Sequence, residues 1–129
     1  MQVKSEQRFT IEGELPSLNQ YIDAERSTNR GIAAAVLKRN ATIKVRLSAV
    51  QDGLLPVGGP VWITFLWFVP DRRKDPDNVV FAKKFVLDGL VWAGILPNDG
   101  MRWIRHLEDG LAVDRDNPRI EVIIRELPE

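Results

Sequence analysis

The chain contains no cysteine, one histidine and one tyrosine, and its 129 residues carry no net charge. Without thiols it has no disulfide staple, thiolate metal centre or cysteine nucleophile, which suits a reducing compartment. Any catalysis must therefore come from oxygen, nitrogen or a bound cation. No apolar run reaches the roughly 20 residues of a membrane span, and the opening MQVKSEQRFT offers no stretch suited to a signal peptide. The expectation is a cytoplasmic protein with no membrane partner. The hydrophobic share of 44% is that of a folded chain, so residues 1–129 read as one soluble globular domain, too short for two independent cores.

Zero net charge conceals an uneven distribution. Arg26, Arg30, Lys38, Arg39, Lys44 and Arg46 fall in a stretch from Arg26 to Gln51 that has no acid, and the acids concentrate later in the chain. A basic docking face beside an acidic site would give this pattern, as would a solvated helix face.

Residues 8–15 alternate in the manner of a half-buried strand, with Phe9, Ile11 and Gly13 on one side. Residues 17–30 read as polar and irregular. From Ala33 to Val50 the apolar positions Val36, Ile43, Leu47 and Val50 define an amphipathic helix with its basic residues outward. Val61 to Val69, β-branched and aromatic between Pro60 and Pro70, reads as a central strand covered on both faces. A helical segment follows from Asn78 to about Gly94, then a Pro97-Asn98-Asp99-Gly100 turn, and then two strands near 102–113 and 119–127. The order β-α-β-α-β-β gives an α+β domain with a mixed sheet and helices packed against it. Trp62, Trp67, Trp92 and Trp103 read as core aromatics, and His106, alone on an expected strand, as structural.

The chemistry concentrates in Asp75-Pro76-Asp77-Asn78, directly after the apolar strand. Two carboxylates one residue apart and stiffened by proline can aim at one point, and hard divalent cations take ligands of this kind. Capping of the following helix is the alternative; it uses one acid and contributes about 0.3–1 kcal/mol. On a continuous helix Asp77, Lys84 and Asp88 would fall within about 40° of one another, one polar stripe among apolar neighbours. A Lys84–Asp88 pair at i, i+4 accounts for two of the three. Lys83, about 100° around the helix from Lys84, would have to extend its ammonium out of an apolar sector. Asp99, taken alone, is a typical turn aspartate.

Taken in order, Asp75-Pro76-Asp77-Asn78, Lys84-Phe85-Val86-Leu87-Asp88-Gly89-Leu90, Ala93-Gly94 and Asn98-Asp99 resemble the RusA family of Holliday-junction resolvases. The resemblance covers residues 75–99 and reaches weakly to Pro16-Ser17-Leu18-Asn19. It implies a Mg²⁺-dependent endodeoxyribonuclease that cleaves four-way or other branched DNA in recombination and repair, with Mn²⁺ as a possible substitute. It also implies Asp75, Asp77 and Asp99 as metal ligands, Lys84 as the catalytic lysine and a homodimer. Lys84 stands seven residues after Asp77 rather than the family's four, so either the first turn is distorted or the helix starts later, and Lys83 stays in reserve. The basic block, with Arg72, Arg73 and Lys74, would contact phosphates rather than bases. The competing readings are a metal-dependent nuclease for other branched DNA and a non-catalytic DNA-binding or phage assembly module.

Overall fold

The computed structural model describes residues 2–27 and 31–128. In chain order its elements are β1 (Ser5–Glu12), α1 (Leu18–Arg26), α2 (Ile32–Gln51), β2 (Val61–Val69), α3 (Pro76–Val80), α4 (Lys83–Trp92), β3 (Ile104–Val113) and β4 (Arg119–Glu126). The sheet order is β1-β4-β2-β3. β4 runs antiparallel to both β1 and β2, whereas β3 runs parallel to β2. A parallel neighbour requires a crossover, supplied here by α3 and α4. The fold is thus α+β with a mixed sheet, as the sequence pattern implies.

β2 spans the prolines' interval, and its alternate residues Val61, Ile63, Phe65 and Trp67 are buried against the helices. The helices touch one another, α2 against α1 and α4, and form one layer on this side. Among the described residues the opposite side of β2 has no second layer, contrary to the expectation of a strand covered twice. Side chains shield it instead. Arg119 lies 3.9 Å over the Phe68 ring, Trp62 meets His106 in a tilted contact with centroids 3.9 Å apart, and Thr64 joins Glu108 and Arg125.

Three local expectations are corrected. Residues 17–30 contain α1, which begins with a reciprocal cap: the Gln20 N–H donates to Ser17 Oγ, and the Ser17 N–H donates to Gln20 Oε1 at 2.8 Å. The helix expected from Asn78 to Gly94 is two helices, broken at Phe81–Ala82, where Ala82 N–H bonds Val79 O and Lys84 N–H bonds Phe81 O in tight i→i−3 steps. The phase of α2 is also inverted. Val36, Leu47 and Val50 face outward, with Leu47 and Val50 each 62% exposed, while Ala34, Ala41, Thr42, Val45 and Ala49 face the core.

Close helix packing explains that inversion. Gly89 of α4 sits against α2 so tightly that a Cβ there would fall 2.5 Å from Val45 Cγ1 and 3.1 Å from the Thr42 carbonyl oxygen. Only small or compact side chains fit such a contact. The bulkier Ile32, Val36, Leu47 and Val50 are left on the crest of α2. Trp92 is likewise exposed, not core, and carries the Arg46 guanidinium 5.1 Å above its ring. No helix among the described residues is long and apolar enough to cross a membrane.

Candidate functional site

Asp75 is the N-cap residue of α3, with extended backbone and Pro76 in the first turn. Its main-chain carbonyl accepts from the N–H groups of Asn78 and Val79, yet its carboxylate makes no capping bond. Capping by this side chain, the alternative left open by the sequence, is therefore not what the fold uses it for. Asp77 lies in the same turn, where its charge suits the helix dipole. Both residues are exposed, and neither has an ion-pair partner among the described residues. Asn78 plays a different part. Its Oδ1 accepts the Asn19 N–H at 2.9 Å and ties the start of α1 to this turn.

Around the acids the loop is basic. The Arg73 N–H donates to Asp71 Oδ1 at 2.9 Å, with its guanidinium 3.7 Å from the same carboxylate, and Lys74 lies 3.8 Å from Glu14. Arg72 is exposed with no carboxylate partner among the described residues. Asp71, Arg72, Lys74 and Pro76 form one wall of a shallow cleft whose other wall is Leu111, Ala112 and Val113 of β3.

Lys84 and Lys83 divide sharply. Lys84, exposed, lies 3.8 Å from Asp88, which Lys38 of α2 approaches to 3.7 Å. The Lys84–Asp88 pair thus exists, but the helix break removes Asp77 from the stripe. Lys83 instead turns to the sheet. Its ammonium donates to Asp109 Oδ2 at 2.6 Å and lies 5.5 Å over the Phe65 ring, while Asp109 Oδ1 accepts the Trp67 indole N–H at 2.9 Å. The sequence hid this tie because Asp109 is 26 residues away.

Asp99 is at the far end of the molecule. The Val57 N–H bonds Ile95 O at 3.0 Å and the Val61 N–H bonds Trp103 O at 2.7 Å, so the turn that bears Asp99 is moored at the start of β2. Asp75 follows the end of β2. Nine strand residues at about 3.3 Å each separate the two ends by about 25–30 Å. Among the described residues no three His, Cys, Asp or Glu side chains form a group able to hold a metal ion. Within one chain, Asp75, Asp77 and Asp99 do not fit a single divalent-cation centre.

The basic block does not form one face. Arg39 and Arg46 flank the apolar crest of α2, Lys38 turns toward Asp88, and Lys44 reaches toward Gly13. Arg26 ends α1. Arg30 lies outside the described residues. On the uncovered side of the sheet, carboxylates are held charged. Thr64 and then Trp62 hold Glu108 below the usual carboxylate range, Arg8 followed by Arg125 does so for Glu6, and Arg119 does so for Asp114.

No protein-family model matches the chain, and no curated protein matches it significantly.

Proposed function

We propose that this chain is a structure-selective endodeoxyribonuclease that binds and cleaves branched DNA, four-way junctions included, with dependence on Mg²⁺ or Mn²⁺ and cytoplasmic action as a homodimer. The observation that carries this reading is the Asp75–Asp77 turn. Two exposed carboxylates stand without partners among the described residues, one of them at an N-cap position whose capping role it does not take. Arg72, Arg73 and Lys74 immediately precede them in the chain, and Arg72 and Lys74 line a cleft.

In this reading the basic residues neutralise phosphates on either side of the acidic turn, which gives affinity without base readout. Lys84, exposed and only loosely paired with Asp88 at 3.8 Å, is better able to approach a phosphate than Lys83, which is held by Asp109 at 2.6 Å. Asn78 acts through position: its bond to Asn19 fixes the turn that carries both acids.

The second reading, a non-catalytic DNA-binding or assembly module, draws on the placement of Asp99 and of the other two acids at opposite ends of β2, a strand about 25–30 Å long. Incubation of a synthetic four-way junction with the purified protein in Mg²⁺ separates the two. The nuclease reading expects cleavage that disappears in Asp77→Asn with junction binding retained. Binding without cleavage by the unaltered protein selects the module.

A further inference from the structure

We infer that two copies of this chain pair antiparallel along β3, and that this pairing brings the turn bearing Asp99 of the second copy to the end of the sheet that holds Asp75 and Asp77. The role of these acids rests on the nuclease reading; the interface does not.

β3 is the terminal strand of the sheet, bonded on one side to β2. Among the described residues the Ile104 N–H bonds Gly100 O in the turn just before the strand, and beyond Ile104 no strand, loop or side chain hydrogen-bonds to the outer edge. Its ten residues contain neither lysine nor proline, the usual guards against edge pairing. Leu107, Leu111 and Val113 are all exposed there, at 38%, 44% and 47%. They share the helix-side parity of β3, where their partners in β2 are the core-facing Ile63, Trp67 and Val69. The helix layer stops short of them.

The occupant that fits is the same strand reversed. A two-fold axis at Leu107 opposes Leu107 to itself, His106 to Glu108, Leu111 to Trp103, and Arg105 in the bulge to Asp109. Apolar residues then face apolar ones, and bases face acids. An axis at Glu108 or Asp109 would oppose like charges, which destabilises a strand pair. An isologous contact of this kind closes on itself as a dimer and does not propagate.

Reversal has a consequence for the acids. With the axis at Leu107, Ile104 of the second copy lies level with Gly110, and the turn preceding it extends toward Val113. That is where Pro76, between Asp75 and Asp77, shares a cleft with Leu111, Ala112 and Val113. The misfit within one chain is thereby a property of the monomer, and each dimer has two such ends.

The chain has no cysteine, so Leu107→Cys introduces a single thiol at the axis. Mild oxidation is expected to give a covalent dimer of Leu107→Cys, because directly opposed Cβ atoms lie about 4.5–5.5 Å apart and a small approach of the strands brings them to about 3.5–4.5 Å, the span of a disulfide, while Leu47→Cys on the crest of α2 stays monomeric. A monomer by light scattering, or cross-linking at Leu47 and not at Leu107, overturns the interface. Asp77→Asn and Asp99→Asn, each inactive alone, are then refolded together. Half of the dimers become mixed and carry one intact set of acids, so Mn²⁺ binding by calorimetry and junction cleavage should return to about a quarter of the unaltered protein. No return, from a protein that cleaves when unaltered, overturns the shared site and leaves the nuclease reading standing. Cross-linking at Leu107 with neither Mn²⁺ binding nor cleavage removes the nuclease reading and leaves the pairing.

Discussion

The two edges of the sheet are built on opposite principles. At β1 the Thr10 N–H donates to Asp52 Oδ2 at 2.8 Å, and Gln7 exchanges two bonds with the Leu55 backbone, so the loop after α2 closes over the strand. Glu6 and Arg8 add charge to the same edge. At β3 no loop covers the strand beyond Ile104 among the described residues, and Leu107, Leu111 and Val113 are exposed along with Arg105, His106 and Asp109. A chain that guards one edge with side-chain bonds and leaves the other bare has two kinds of boundary, one facing water and one suited to another strand.

Substitutions can break that contrast from either side. The largest effect should come from Lys83→Met, which removes the ammonium that ties α4 to Asp109 on β3; a charge-assisted, half-buried bond of this sort is worth about 2 kcal/mol in urea unfolding. Lys84→Met, on the exposed pair, should cost no more than about 0.5 kcal/mol. For activity the order should reverse, with Lys84→Ala lowering junction turnover much more than Lys83→Ala. On the guarded edge, Asp52→Ala should cost about 1 kcal/mol and make Thr10 N–H exchange faster by hydrogen exchange, since a backbone donor loses its partner.

Acid should act through the uncovered face of the sheet. Glu6, Glu108 and Asp114 titrate below the ordinary carboxylate range when folded, with Arg8, Thr64 and Arg119 as the leading causes. A lowered folded value means stability that is present above the unfolded pKa and lost as pH falls through the folded one. Melting temperature should therefore fall on acidification below the usual carboxylate range, and Thr64→Val should shrink that fall. The smallest effect on the monomer belongs to Leu111→Lys, an exposed change expected within about 0.5 kcal/mol. The same substitution should abolish dimerisation, and retention of the dimer would contradict pairing along β3.

Legibility in the sequence follows the range of the interactions. β2 can be read to the residue because Pro60 and Pro70 bound an apolar β-branched run. The cap of α1 is also present as Ser17 and Gln20, a local signal masked by a polar composition. The phase of α2 is not legible, because it is decided by Gly89, distant along the chain, whose close approach excludes large side chains from the face that hydropathy favours. The acidic turn is legible and its separation from Asp99 is not. Spacing along the chain says nothing about direction, and it is the parallel run of β2 and β3 that sends the two ends of α3–α4 to opposite ends of the sheet. The Lys83–Asp109 bond escapes a reading of the sequence for the same reason.

The crest of α2 has a bearing on how a polyanion could travel over this surface. Ile32, Val36, Leu47 and Val50 form a water-repelling ridge along most of that helix, and phosphates gain nothing by lying along it. In the nuclease reading a nucleic-acid strand would be steered off the ridge toward its arginine-lined shoulder and the loop at Arg72, along a course set by where leucine and valine were displaced to make room for a glycine.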